Sequence, residues 1–129
     1  MTQQEIVDYC VAKPGAYIDF PFGPEYLVVK VKGTSQKSGR IFAQVFDLKG
    51  AHMATLNCDV GTGEFYRSIY PDAVVRGWHC PPVMQPYFNT ISLDKGVPDE
   101  EFVRMMEHSY AVVTAKLSKY VRRELEEKK

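Results

Sequence analysis

The last third of the chain carries an apolar stripe that only a second layer of structure can cover. Phe102, Met106, Tyr110, Val113, Leu117 and Val121 recur at spacings of three and four, which is one face of an α-helix. Pro98 suits a first helical turn, and Asp99, Glu100 and Glu101 complement the partial positive charge at a helix N-terminus. Basic residues dominate from Lys116 to Arg123, before an acidic "ELEE". The pattern predicts a helix from residue 98 almost to the C-terminus, with 118–129 a charged extension. A helix with one apolar face owes most of its stability to burying that face, so the preceding residues must supply a partner layer.

That layer reads as β-sheet. "AYIDF", "YLVVKV", "RIFAQVFDL", "MATLN" and "YFNTISL" are rich in Val, Ile, Phe and Tyr and are divided by Pro, Gly and Asn, the signature of short strands. In "YLVVKVK", Leu27, Val29 and Val31 share one face while Val28, Lys30 and Lys32 share the other. Two more helices are expected. Thr2 and Glu5 make a capping box ahead of Ile6, Val7, Cys10 and Val11, giving a helix over 2–13 that ends at "KPG". "VGTGEFYRSI" gives a short helix over 60–69, weakened by Gly61 and Gly63 at about 1 kcal/mol each relative to Ala. "CPPVMQP" must be an irregular loop. The fold class is therefore α+β, an antiparallel sheet flanked by an N-terminal helix, a short middle helix and a long C-terminal helix.

Length and composition limit the functions open to the chain. The 129 residues suit one domain, and no linker, repeat or low-complexity tract divides them. No apolar run approaches the roughly 20 residues of a membrane span, and "MTQQEIVDYC" lacks the basic start and apolar run of a signal peptide. A cytoplasmic location is expected, and three irregularly spaced cysteines (Cys10, Cys58, Cys80) agree with reduced thiols. Sixteen basic and sixteen acidic residues cancel, which argues against strong non-specific nucleic-acid binding.

Local charge is another matter. Lys30, Lys32, Lys37 and Arg40 crowd into "KVKGTSQKSGR", and no acid lies between Glu25 and Asp47. The segment reads either as a wing gripping a phosphate backbone, with Arg76 beside it, or as a solvated hairpin. A second cluster, "RGWHCPPVMQPYFN", gathers Trp78, His79, Tyr87 and Phe88 around a proline-rich loop. Those rings could stack on bases, line a ligand pocket or fill the core.

Catalytic and metal motifs are absent from the sequence. It has no phosphate-binding glycine loop, G-x-S-x-G or H-E-x-x-H. His52, Cys58, His79 and Cys80 are not at zinc-ligand spacing, and adjacent His79 and Cys80 point to opposite sides of a strand. No catalytic residue, cofactor or metal is expected.

With those elements in order, the chain resembles the MmcQ/YjbR family. The resemblance is carried by "VDYCVAKPGAYIDFPFGPEYLVVKV", "LNCD", "YPDAVVRGWH", "YFNTISLDKGVPDEE" and "HSYAVVTAKL". It covers roughly residues 5–118 and implies a CyaY-like α+β fold, with weak, salt-sensitive DNA binding through a double-wing motif. The sequence departs from the family pattern in two places. A cation expected before a His/Tyr-Trp pair is missing from "MQPYF", where Phe88 replaces the Trp, while "KGTSQKSGR" is longer and adds cations. Iron binding by analogy with frataxin-like folds is not expected, since the first helix offers only Glu5 and Asp8 as acids. The expected function is a non-enzymatic binding protein for DNA through the hairpin. The alternatives are a protein-interaction or chaperone-like module and small-ligand binding at the Trp78–Tyr87 loop.

Overall fold

The computed structural model describes residues 1–128. Its elements follow the expected order: α1 (Gln3–Val11), β1 (Ala16–Asp19), β2 (Leu27–Val31), β3 (Arg40–Leu48), β4 (Ala51–Asn57), α2 (Val60–Ile69), β5 (Val74–Arg76), β6 (Phe88–Ser92), α3 (Asp99–Thr114) and α4 (Lys119–Glu127). The strands form one antiparallel sheet in the order β1-β2-β3-β4-β6-β5. The fold is α+β, as the sequence pattern requires.

Local chemistry sets the element ends. Thr2 accepts from the Glu5 N–H at 3.1 Å and Glu5 Oε1 accepts from the Thr2 N–H at 2.9 Å, so the capping box forms. Asp59 caps α2 by accepting from the Thr62 N–H at 2.7 Å. Between β3 and β4, Lys49 and Gly50 both take positive φ (51° and 82°), the backbone that a two-residue hairpin needs.

The continuous C-terminal helix predicted from the stripe does not form. Helix α3 stops at Thr114, and Ser118 starts α4 by accepting from the Val121 N–H. The break lets α4 turn back over the hairpin end of the sheet, where Val121 and Leu125 are buried. Two glycines make room for it. A side chain at Gly15 would sit 2.4 Å from Leu125 Cδ2, and one at Gly33 would sit 3.0 Å from Val121 Cγ1. The charged extension is thus a helix whose apolar residues join the core.

That core lies between one sheet face and helices α1, α3 and α4. Ile6, Phe42, Leu56, Ile91, Phe102 and Met106 are almost completely buried there, each stabilising by about 1.5–3 kcal/mol on burial. A β-bulge crosses this packing. Val29 pairs with Ala43 and Lys30 with Ile41, so Phe42 falls outside the register. Phe42 turns its ring edge-on to Tyr110. Its carbonyl accepts from the fully buried Ser109 hydroxyl, which in turn accepts from the Asn57 N–H at 2.9 Å.

Ser109 is therefore the polar pin between α3 and the bulge. Ser109→Ala strands a buried carbonyl and a partly buried N–H, and the expected loss is about 1–3 kcal/mol in urea unfolding. A loss under a few tenths of a kcal/mol contradicts the assignment.

Candidate functional site

The helices cover one face of the sheet, and the other face is apolar as well. Val28, Phe46 and Met53 are buried there, together with Gln44, Thr55 and Thr90. Two loops, 20–26 and 77–81, shelter this second face.

Loop 20–26 is the "FPFGPEY" segment. The Asp19 carboxylate accepts from the Phe20 N–H at 2.8 Å, and Gly23 takes φ +110°. The turn lays Tyr26 flat on Phe46, with ring centroids 4.8 Å apart and planes within 10°. Phe22 meets Tyr26 edge-on at 5.5 Å. Both arrangements are favoured by aromatic quadrupoles.

Loop 77–81 is anchored to β6. Gly77 donates to the Phe88 carbonyl at 3.0 Å, and a Cβ there would lie 2.8 Å from both Phe88 Cβ and Cys80 Sγ. Glycine lets the loop lie this close to the strand. Trp78 then sits 6.0 Å from Phe46 at a 35° tilt, and His79 stands edge-on to Tyr26 and Phe46 at 6.0 and 5.9 Å.

Between the two loops lies a cleft of about 640 Å³, walled mainly by Phe22, Tyr26, Ile41, Gln44, Phe46, Leu48, Trp78, His79 and Phe88. Its volume falls in the range of small-molecule sites. It exceeds the groove between α3 and α4, about 250 Å³, and the one beside Met1 and Leu93, about 300 Å³.

One polar chain runs along the wall. Tyr26 donates its hydroxyl to Gln44 Oε1 at 2.8 Å, and the Tyr26 oxygen lies 3.2 Å from His79 Nε2. With the tyrosine proton committed to Gln44, His79 must donate from Nε2, which leaves Nδ1 as the acceptor of the neutral ring. Burial pushes the Tyr26 hydroxyl up to about 12 and raises the Cys80 thiol. Burial lowers His79 below its usual 6.5. At neutral pH these three groups are uncharged, and no lysine or arginine lines the cleft. Asp47 borders it, but its carboxylate bonds His52 Nδ1 at 2.7 Å and Gln3 Nε2 at 3.1 Å.

The structure divides the residues singled out from sequence. Trp78, His79 and Phe88 meet in the cleft, whereas Tyr87 lies in a 3₁₀ turn (Gln85–Tyr87) outside its wall, its carbonyl accepting from the Cys58 N–H. Lys30 ion-pairs with Asp19 at 2.8 Å, and its side chain is only 15% exposed. That pairing holds the Asp19 carboxyl below its usual range. Lys32 lies 5.1 Å over the Tyr17 ring. Lys37 and Arg40 are exposed, and Arg40 pairs with Val31, which places it on the helix side of β3. Arg76 is on β5 at the far edge of the sheet, with β6, β4 and β3 between it and β2.

The hairpin loop itself is tied down. Glu124 of α4 accepts from the Thr34 N–H at 2.6 Å and from its hydroxyl at 2.9 Å, while Gly39 donates to the Tyr17 hydroxyl at 2.8 Å. His108 of α3 accepts from the Asp59 N–H at 3.1 Å with its side chain 23% exposed. Among the described residues no group of three or more His, Cys, Asp or Glu side chains could hold a metal ion, and no helix is long and apolar enough to cross a membrane.

Sequence reasoning missed Phe22, Tyr26, Gln44 and Phe46. The two prolines around Phe22 signalled a rigid turn carrying aromatics over the sheet. The parity of Gln44 and Phe46 was hidden by the bulge, which shifts alternation at Phe42.

Opposite pKa shifts follow from these surroundings. His79 should titrate below 6.5 and His52, held protonated by Asp47, above it; ring-proton NMR resolves both. A depressed native His79 contributes stability that is complete above 6.5 and lost as pH falls below it. His79→Phe should flatten that acid limb. A His79 midpoint above that of His52 contradicts the assigned environment.

The YjbR family model matches residues 11–112. Among solved structures, protein DR2400 of Deinococcus radiodurans, described with a DUF419 domain, is similar to this chain. The TM-score is 0.83 at 29% identity, over 97% of this chain and 88% of that one. A crystal structure of a protein from Pseudomonas syringae gives a TM-score of 0.68 at 16% identity, over 88% and 99% of the two chains. A solution structure from the same organism gives 0.63 at 17% identity, over 88% and 93%; these two show the shared fold alone. No curated protein matches the chain. The match over residues 11–112 places this chain in the YjbR family.

Proposed function

We propose that this protein is a binding module that takes a small apolar molecule into the cleft between loops 20–26 and 77–81. One observation carries the reading. Phe22, Tyr26, Phe46, Trp78 and Phe88 converge on a volume of about 640 Å³, and Tyr26, Gln44 and His79 among them are neutral and already hydrogen-bonded, with the Asp47 carboxylate at the border. Phe22 and Trp78 remain 66% and 48% exposed at its rim, where a ligand would cover them and gain their apolar area. Binding fits better than catalysis. The cleft thiol, Cys80, is shifted away from the thiolate that a nucleophile requires.

The rim positions supply the test, because exposed side chains can be changed with little cost to folding. N-phenyl-1-naphthylamine, an uncharged dye that fluoresces in apolar surroundings, should bind the wild-type protein. Phe22→Asp with Trp78→Ser should weaken it at least about ten-fold, the equivalent of roughly 1.4 kcal/mol, with an unchanged melting temperature. Dye binding that survives both changes rejects the cleft.

Nucleic-acid contact through the hairpin is the second reading, and the exposure of Lys37 and Arg40 favours it. Lys30 and Lys32 are engaged within the molecule, so about two phosphates would be neutralised. The logarithm of affinity for duplex DNA should then fall with the logarithm of salt at a slope near about −2, and Lys37→Ala with Arg40→Ala should abolish it. A slope twice as steep, or no effect of the pair, rejects that account.

A further inference from the structure

We infer that the cleft selects uncharged aromatic ligands that donate a hydrogen bond to His79 Nδ1, and that it turns anions away. The inference rests on the cleft being a ligand site and names the chemistry that the site would accept.

Two features of the wall set the selectivity. The first is the Gln44–Tyr26–His79 chain. Gln44 is 6% exposed and takes the Tyr26 proton, so the Tyr26 oxygen is satisfied by His79 Nε2–H. The direction of the chain follows from Tyr26 donating to Gln44 Oε1. The chain ends on His79, a lining residue of the cleft, whose remaining ring nitrogen, Nδ1, then carries a lone pair that can only accept. A ligand carrying O–H or N–H completes the chain; one offering only an acceptor leaves both lone pairs facing each other.

The second feature is the distribution of charge. Among the lining residues only Asp47 is ionised at neutral pH, and it is negative. The neighbouring cation of the sheet face, Lys30, is spent on Asp19. An anion entering the cleft would lose water and meet no opposite charge, which is costly in an apolar site. The rings of Trp78, Phe46 and Phe22 meanwhile offer faces and edges on which another aromatic ring can pack.

Three probes sharing one ring system test the inference: 2-naphthol (uncharged donor), 2-methoxynaphthalene (uncharged, no donor) and 2-naphthoate (anion). Trp78 is the sole tryptophan, so its indole N–H signal in NMR reports occupancy directly. At pH 7.5, 2-naphthol should bind about three- to ten-fold tighter than the methyl ether, the usual net value of one hydrogen bond. 2-Naphthoate should be the weakest. In His79→Phe the advantage of 2-naphthol over the ether should vanish while the ether still binds. Equal binding of 2-naphthol and the ether to the wild type overturns the role of His79, and naphthoate binding as tightly as naphthol overturns the exclusion of anions. Either result leaves the cleft as a site. No shift of the Trp78 signal with any probe overturns the inference and the cleft reading together.

Discussion

The flat stack of Tyr26 on Phe46 is the contact on which the second face of the sheet depends. A sheet with helices on one side leaves its other side to water unless something covers it. Here Phe46 points away from the helices, and Tyr26 reaches it only because Pro21, Gly23 and Pro24 fold the β1–β2 connection back over the strands. Once Tyr26 is in place, its hydroxyl satisfies the buried Gln44, its edge receives Phe22, and His79 has a partner. The cover is partial, and the remaining gap is the cleft.

The two faces therefore do different work. The helix face holds the stability of the fold, with fully buried Phe42, Leu56, Phe102 and Met106 and the Ser109 pin at the bulge. The open face holds rings that are buried by loops rather than by helices. Loops carry variable surfaces on rigid scaffolds, and two of them, 20–26 and 77–81, shelter this face. The basic hairpin belongs to neither layer, and α4 holds its tip through Glu124 and Thr34.

Much of this architecture was legible because its signals are local. Thr2 and Glu5 announced α1 within four residues, and the stripe from Phe102 announced α3. The break before α4 was not legible, since Leu117 and Val121 keep helical spacing across it. Only the docking of Leu125 against Gly15 explains why the chain turns there. The site was half legible. Trp78, His79 and Phe88 stood out as a cluster, but Gln44 and Phe46 needed the bulge register. The loss of Lys30 to Asp19 needed the β1–β2 register, which places Tyr17 opposite Lys30 and Asp19 opposite Val28. Charge counted along the chain says nothing about such pairings.

The central claim is that the sheltered sheet face, not the basic hairpin, receives the ligand. Backbone amide NMR of the full chain, titrated with 2-naphthol, tests it most directly. The account predicts that chemical-shift changes gather at residues 22–26, 41–48, 77–81 and 88 and spare the loop at 33–39. Changes centred on the hairpin or spread over the helix side, or a spectrum that does not move at saturating probe, would contradict it.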